Sequence, residues 1–328
     1  MRVLVTGATG FVGSHVVDRL AARECPTVIL LRQTSSRRFL EAHHGRLEVH
    51  EGSLQDPATL DAAVAGVTHV VHCAGLTRAL HRTDFDAVNH RGTVRLLDAL
   101  RRHATGLERF VLVSSLAAHG PASNTLPARE TDPPRPVSAY GSSKLHAEEA
   151  VRTQCPSGFV ILRPPAVYGP RDLEFLRLFR AAQTGLVPSI GGGRQELTLV
   201  YAPDLAEALV HCLTHPAAAG KTYHVGAPEV VTAANLAREI GAVLGRRPRF
   251  LPIPAPLVPL VCQIAALGAR CRRRPSLLAH DKHRELLALG WVADTTRLEA
   301  ETGFSCPTRL RPGLEHTAAW YRAHRWIP

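Results

Sequence analysis

The chain has 328 residues, of which 45% are hydrophobic and 20% charged, which is typical of a globular protein with one large domain and a smaller appended part. The formal net charge is +11, but no nucleic-acid-binding motif accompanies the dispersed arginines, so we expect no nucleic-acid partner. The seven cysteines are odd in number and form no CxxC pair, which favours a reducing, cytoplasmic location over a disulfide framework. Met1 leads directly into a predicted strand, without the features of a secretory signal.

The first half of the chain alternates between apolar strands and amphipathic helices. Strands are predicted at residues 2–6, 27–32, 46–50, 69–73, 109–114 and 159–163. Helices are predicted between them at residues 12–22, 58–65, 93–103 and 142–154. Continuous apolar strands joined by helices are typical of a parallel sheet with helices on both faces, so the pattern predicts an α/β fold of the Rossmann type, a doubly wound parallel sheet.

Beyond residue 164 the pattern is less regular. Helices are predicted at residues 173–184, 203–214 and 233–244, and strands at residues 197–201 and 222–225. From residue 246 the chain is proline-rich and then helical. We therefore assign residues 1–165, together with 195–225, to a Rossmann domain, and residues 166–194 and 226–328 to a smaller C-terminal substrate-binding part.

The junction of the first strand and the first helix has the sequence Thr-Gly-Ala-Thr-Gly-Phe-Val-Gly, residues 6–13. Glycines at these positions let the chain turn tightly and bring backbone N–H groups close to a pyrophosphate, and the helix N-terminus adds a partial positive charge. The loop therefore predicts a dinucleotide-binding site formed by Gly7, Thr9, Gly10, Phe11, Val12 and Gly13.

The glycine spacing, GxxGxxG, resembles the extended short-chain dehydrogenase/reductase family, of the NAD-dependent epimerase/dehydratase type. Further family motifs match in order at residues 52–56, 71–75, 89–93, 113–115, 140–144 and 163–170. The resemblance implies further cofactor contacts from Ser53, Leu54, Cys73, Ala74, Gly75, Asn89, Ser114, Pro164, Ala166 and Val167. Ser53 stands where the family often has an acid near the adenine, and Asn89 also fits a helix-capping role.

Arg32 ends the second predicted strand, where NAD-selective enzymes carry an acidic residue that binds the adenosine ribose hydroxyls. A guanidinium followed by hydroxyl side chains suits a 2′-phosphate, which an acid would repel. The alternative is an ordinary solvated arginine in an arginine-rich chain. We therefore expect NADP(H) to be favoured over NAD(H).

Tyr140 and Lys144 are four residues apart and therefore project from one face of a helix. An adjacent ammonium and an oxidised nicotinamide ring favour the phenolate of the tyrosine, which can then exchange a proton with a ketone or an alcohol. Ser115 occupies the Ser/Thr position of the family and is expected to hydrogen-bond the reacting oxygen. The resemblance implies that Lys144 also binds the nicotinamide ribose, so Tyr140 and Lys144 belong to both the catalytic and the cofactor set.

The substrate is predicted from what the chain lacks. Nucleotide-sugar enzymes of the family usually carry an asparagine and an arginine for the sugar diphosphate where this chain has Pro165 and Leu197, although Arg194 is near enough in sequence to substitute. The motif at residues 163–170 is more similar to the 3β-hydroxysteroid dehydrogenase-like and dihydroflavonol reductase-like branch. We expect a ketone reductase or secondary alcohol dehydrogenase for an apolar substrate, steroid-like or long-chain 3-oxo. The alternatives are a nucleotide-sugar epimerase or dehydratase and a non-catalytic NADP-sensing protein.

Residues 250–269 are almost free of charge, contain four prolines and precede an arginine cluster at residues 270–274. One interpretation is a helix packed in the substrate-binding part. The other is a peripheral membrane contact through residues 250–274, with the arginines at anionic headgroups. His211 and His215 are spaced as a ligand pair, but no third ligand is evident, so no metal site is predicted. The remaining expected partners are a small-molecule substrate and a second copy in a homodimer.

Overall fold

The computed structural model describes residues 1–272 and 281–328. Its strands are β1 Val3–Thr6, β2 Thr27–Leu31, β3 Leu47–Glu51, β4 His69–His72, β5 Arg109–Val113, β6 Gly158–Arg163, β7 Ala166–Tyr168, β8 Leu186–Ile190, β9 Glu196–Tyr201, β10 Lys221–His224, β11 Val230–Thr232, β12 Arg249–Ile253 and β13 Gly290–Trp291. Its helices are α1 Phe11–Ala22, α2 Pro57–Val64, α3 Arg82–Phe85, α4 Arg91–His103, α5 Leu116–His119, α6 Ala139–Gln154, α7 Leu173–Thr184, α8 Ala202–Thr214, α9 Ala233–Val243, α10 Val258–Cys271, α11 Lys282–Leu287, α12 Thr296–Thr302 and α13 Leu310–Ala323.

Seven strands form one parallel sheet in the order β10-β6-β5-β4-β1-β2-β3. The edge strand β3 is mostly exposed. Strands β1, β2, β4 and β5 are buried on both faces, which explains their largely apolar sequences. In β1, for example, Val3 and Val5 point into the core beneath α1 and α8, whereas Leu4 points into the core beneath α2 and α4. The Rossmann sheet predicted from the sequence is confirmed, and all eight predicted strands are present with no end shifted by more than one residue.

The rest of the chain builds a smaller layer beside the carboxyl end of β6. Strand β9 pairs with β7, β11 and β13, and β8 pairs with β12. A third core, which includes Phe179 and Tyr321, packs these strands against α7, α9 and α13. Strand β9 thus lies in the smaller layer, while α8 and β10 cover and extend the large sheet. The division into cofactor-binding and substrate-binding parts stays a prediction.

The segment with the proline-rich sequence holds both a strand and a helix. Strand β12 contains Pro252 yet pairs in parallel with β8, because a strand at the edge of a two-stranded sheet can lack one amide donor. Helix α10 follows within the residues predicted to be helical. Of the predicted arginine cluster, Arg273 and Arg274 lie outside the described residues, as does the side chain of Arg270. None of the described helices is both long and apolar enough to cross a bilayer.

A buried ion pair attaches the middle of α6 to the large sheet. Both nitrogens Nε and Nη2 of Arg163 donate to the carboxylate of Glu148, at 2.8 and 2.7 Å, and Ser114 Oγ donates to it at 2.5 Å. Arg152 donates to the same carboxylate at 2.9 Å. Burial opposes ionisation of Glu148, but the hydrogen bonds from Arg163 and Ser114 and the nearby charges outweigh it and lower its pKa. Glu148 is therefore a charged group in the core, balanced by cations.

We expect Glu148→Gln to destabilise the protein by about 3–5 kcal/mol, because the buried guanidinium of Arg163 would lose its counter-charge. Urea unfolding followed by circular dichroism measures the change. Glu149→Gln is the matched control, since Glu149 is the next residue of α6 and is exposed, so its effect should stay within about 0.5 kcal/mol. Equal unfolding free energies for the two variants would contradict the expectation.

Candidate active site

The loop between β1 and α1 is too crowded for side chains at two of its glycines. Gly7 has a φ of +71°, and a Cβ there would lie 2.7 Å from the backbone nitrogen of Ala74. A Cβ on Gly13 would overlap the carbonyl oxygen of Gly7. The Gly10 N–H donates to that same carbonyl at 2.9 Å, and Gly10 caps α1. The loop thus folds tightly over the sheet and leaves the N-terminus of a 12-residue helix uncovered by side chains.

This geometry fits the pyrophosphate of a dinucleotide. The first amides of α1 lack intrahelical acceptors and carry the positive end of the helix dipole, which an anion complements. Thr9, Phe11 and Val12 are partly exposed around the loop, and Gly10 is exposed. A bound nicotinamide dinucleotide would be held here and would supply or accept the hydride of the reaction.

The segment after β4 runs beside this loop. The Ala74 N–H donates to Thr6 Oγ1 at 3.3 Å, and burial raises the pKa of the Cys73 thiol to about 12, so this cysteine stays neutral. A Cβ on Gly75 would lie 3.0 Å from Asn89 Oδ1 and 3.2 Å from Lys144 Nζ. Glycine at position 75 therefore lets the segment lie against both polar groups.

Asn89 connects the segment after β4 to the helix that carries the tyrosine. It lies in a π-helical turn, Asp86–His90, directly before α4. Its Oδ1 accepts the N–H of Leu76 at 2.7 Å, and its Nδ2 donates to Leu76 O at 3.0 Å and to Ser143 Oγ at 2.9 Å. Asn89 therefore does not act as a helix cap, which was the alternative interpretation of this residue. π-helical turns are frequent at functional sites.

Ser115, Tyr140 and Lys144 come together at the carboxyl end of the sheet. Ser115 caps α5, whose Ala117 N–H it accepts at 3.1 Å, and its side chain hydrogen-bonds that of Tyr140. Lys144 is buried, and its Nζ donates to Val113 O at 2.9 Å. The structure thus brings together the three residues that the motifs indicated.

Burial decides the protonation of these groups more than their mutual contacts do. Desolvation raises the pKa of Tyr140 to about 12, although the hydrogen bond from Ser115 lowers it. Desolvation also lowers the pKa of Lys144 to about 8, while Cys73 and Glu148 raise it. The sequence-based expectation of a phenolate differs from this picture, because the neighbouring ammonium does not offset the loss of water around Tyr140. At neutral pH the tyrosine is a phenol that can donate a proton.

The remaining predicted contact residues occupy different environments. Ser114 is buried, with its hydroxyl engaged by Glu148, and Pro164 O accepts the N–H of Leu116 at 2.8 Å. Ser53 Oγ accepts the N–H of Gln55 at 3.2 Å. Arg32 is exposed just beyond β2 and has no ion-pair partner within the described residues. Partly exposed Ala166 and Val167 start β7, and buried Leu54 packs under Gly92 of α4.

Two acidic residues that sequence reasoning missed also lie near the start of α6. Asp281 Oδ2 accepts the N–H of Ala139, the residue before Tyr140, at 2.7 Å and pairs with Arg82 Nη2 at 2.7 Å. Glu285 pairs with Lys282 and lies close enough to Tyr140 to raise its pKa further. No motif could have identified them, because they follow Tyr140 by more than 140 residues and belong to no recognised pattern.

Comparison with known proteins assigns this arrangement to a family. The profile of the NAD-dependent epimerase/dehydratase family matches residues 3–226. This chain belongs to that family. The ceramide reductase of Caulobacter vibrioides (strain NA1000 / CB15N) is 32% identical over 326 residues, which cover 99% of this chain and 96% of that protein. The UDP-glucose 4-epimerase of Vibrio cholerae is 28% identical over 309 residues, which cover 90% of this chain and 92% of that protein.

Solved structures agree with the family assignment. The structure of MoeE5 in complex with UDP-glucose and NAD is similar with a TM-score of 0.78 and 25% identity, and covers 99% of this chain and 100% of that chain. The predicted family, the Rossmann fold and the expectation of an NAD(P)-dependent enzyme of the extended short-chain dehydrogenase/reductase type are therefore confirmed. The relatives include reductases and epimerases, so the family alone does not choose between these reactions.

We expect Tyr140→Phe to lower turnover by about 10² or more, because it removes the only proton that this side chain can donate to the reacting oxygen. Hydride transfer followed by nicotinamide absorbance measures turnover. The NADPH affinity of Tyr140→Phe, measured by fluorescence titration, is the internal control and should be nearly unchanged. Lys144→Ala should lower both the turnover and the NADPH affinity. Wild-type turnover in Tyr140→Phe would exclude Tyr140 as the proton donor.

Proposed function

We propose that this protein reduces a ketone on an apolar, lipid-like substrate, steroid-like or long-chain 3-oxo, with NADP(H) favoured over NAD(H). The observation that carries the proposal is the packing of Pro165 and Leu197. Pro165 is buried beside Gly226, and Leu197 packs against the third core. Apolar groups fixed in this way cannot bind a sugar diphosphate. The similarity to a ceramide reductase over 99% of the chain supports a lipid substrate.

In the proposed reaction, Ser115, Tyr140 and Lys144 form the catalytic set. The Tyr140 phenol donates its proton to the carbonyl oxygen as hydride arrives at carbon, and the Ser115 hydroxyl hydrogen-bonds the same oxygen. Because burial raises the pKa of Tyr140 to about 12, this side chain is protonated at neutral pH, which is the form that ketone reduction requires of a proton donor. The Lys144 ammonium stabilises the resulting phenolate and holds the ribose of the cofactor.

We further propose that the predicted cofactor residues line one continuous site from the β1–α1 loop to β7. The proposed contacts are Gly7, Thr9, Gly10, Phe11, Val12, Gly13, Arg32, Ser53, Leu54, Cys73, Ala74, Gly75, Asn89, Ser114, Tyr140, Lys144, Pro164, Ala166 and Val167. Asn89 acts in this set by holding the Gly75–Leu76 backbone against α6. A cytoplasmic location and a homodimer stay predictions.

For the cofactor, we expect NADPH to bind at least about tenfold more tightly than NADH, which requires only about 1.4 kcal/mol from a charge-assisted contact. The unpaired, exposed guanidinium of Arg32 within the described structure supports this preference. Arg32→Asp should narrow or reverse the ratio in fluorescence titrations. Arg37→Asp is the matched control, because Arg37 lies on the same loop but already pairs with Glu51 at 3.1 Å. Equal affinities of the wild type for NADPH and NADH would overturn the preference.

The reaction is tested with a panel of cyclic and long-chain ketones beside UDP- and GDP-sugars. An apolar pocket gains about 0.8 kcal/mol per buried CH₂, so KM should fall as the ketone becomes longer or more fused. Net NADPH consumption with ketones supports the reductase. Interconversion of UDP-sugars without net cofactor change would replace the reductase proposal with the second candidate, an epimerase. The Vibrio cholerae relative and the exposed Arg194 favour this second candidate. Cofactor binding without turnover of either class would favour the NADP-sensing alternative.

A further inference from the structure

Helix α10 is apolar on two opposite faces. Its inner face is packed against the protein, and Val258, Cys262 and Ala269 are buried there. Its outer face carries a row of exposed aliphatic side chains. The exposed fractions are 48% for Leu257, which directly precedes the helix, 52% for Leu260, 42% for Val261, 63% for Ile264 and 65% for Leu267. Because this spacing follows the helical repeat, the five side chains form one continuous stripe, called here the outer stripe.

The outer stripe is unusual for a surface. Large aliphatic residues scattered singly on a surface need no explanation, but a contiguous row of them marks a contact with another apolar phase or partner. Nothing within residues 1–272 and 281–328 covers it. Packing in the substrate-binding part, the first interpretation of this sequence, therefore accounts for the inner face of α10 and leaves the outer stripe unexplained.

The charge around the outer stripe identifies what would cover it. Residues 240–280 contain no aspartate or glutamate, and they include seven arginines. Arg246, Arg247 and Arg249 before the helix and Arg272 after it are exposed. An apolar row flanked by cations and lacking acidic residues complements an anionic lipid surface. The acyl chains would pack against the leucines, and the anionic headgroups would pair with the guanidinium groups. A protein partner would not require the exclusion of acidic residues.

We propose that α10 lies in the interface of an anionic bilayer, with the outer stripe inserted between the lipids and the flanking arginines at the headgroups. The helix has 14 residues, fewer than the about 20 that a bilayer span needs, so it lies on a bilayer and does not cross it. Docking through α10 places the whole chain peripherally on the surface.

The same helix connects this surface with the active site. The Cys262 sulfur, on the inner face, hydrogen-bonds the backbone of His283 in α11. The other side of this short segment contacts the catalytic helix, through Asp281 to the Ala139 amide and through Glu285 near Tyr140. One short helix thus separates the bilayer from the proposed proton donor. On this arrangement a ketone dissolved in the bilayer enters the active site from the side of α10, and this second step rests on the proposed function.

Docking is tested by flotation of the full chain with phosphatidylcholine vesicles that do or do not contain phosphatidylglycerol. We expect the wild type to float with the anionic vesicles, to bind neutral vesicles weakly, and to be released by high salt. Ile264→Glu/Leu267→Glu should lower the partition coefficient by about tenfold or more, because two carboxylates would enter the headgroup region. Leu126→Glu/Leu173→Glu is the matched control, since it adds the same charge at exposed leucines elsewhere and should float like the wild type.

Thermal unfolding by circular dichroism shows whether the two double variants keep the wild-type fold. A wild type that stays unbound on anionic vesicles at low salt, or an Ile264→Glu/Leu267→Glu variant that binds as well as the control, would overturn the proposal. The proposal would also be overturned if the wild type were a dimer that does not bind vesicles and the Ile264→Glu/Leu267→Glu variant were a monomer. The outer stripe would then contact a second copy of the chain.

Substrate delivery has a separate readout. With a ketone carried in anionic vesicles, Ile264→Glu/Leu267→Glu should raise KM by about tenfold, in line with its lost partition, and leave kcat unchanged. With a water-soluble ketone, both constants should match the wild type. Equal KM values for the vesicle-borne ketone would overturn delivery through α10. If no ketone is reduced at all, flotation still decides docking, and the proposed function alone fails.

Discussion

The position of α6, the helix that carries Tyr140 and Lys144, depends on one buried charge. Glu148 lies one turn beyond Lys144 on α6 and accepts hydrogen bonds from β6 through Arg163, from the end of β5 through Ser114, and from Arg152 of its own helix. An unpaired carboxylate at this depth would be costly, so the helix is restricted to the register in which all these donors meet. The distance of Lys144 from the end of β5 is fixed by that register. The buried ion pair of Glu148 and Arg163 therefore fixes the position of the site residues on α6.

Much of this architecture could be predicted because it follows from short-range rules. Strand β1 and the loop with Gly7 and Gly13 have a periodicity and a glycine spacing that few other structures allow. The four-residue separation of Tyr140 and Lys144 places them together on any helix. Strand β12 could not be predicted, because its only support is a single partner strand, β8, about 60 residues earlier in the chain. The contact of Asp281 with the Ala139 amide could not be predicted either, because only the fold brings these two distant residues together.

The protonation states of the buried site residues could not be predicted from the sequence either. Charge counting suggests that an ammonium next to a tyrosine produces a phenolate, but burial acts on both groups and pushes their pKa values towards the neutral forms, to about 12 for Tyr140 and about 8 for Lys144. His72 shows the same rule deeper in the sheet. Burial and the nearby Lys144 lower its pKa to about 3, so it stays neutral and bridges Thr6 and Thr93 with its two ring nitrogens. The amount of water around a residue is a property of the fold.

The contact between Asp281 and the Ala139 amide spans 142 residues, and this separation has a consequence for synthesis on the ribosome. Strands β1 to β6 are complete once residue 163 has emerged, and helices can cover them as the chain grows. The Ala139 amide in the first turn of α6 gains its acceptor only when Asp281, in the last fifth of the chain, has been translated. A nascent chain that stalls before that point would hold a formed sheet and glycine loop beside an unfinished catalytic turn. On the proposed function, the loop that would hold the dinucleotide is therefore translated long before the segment that contacts the start of α6.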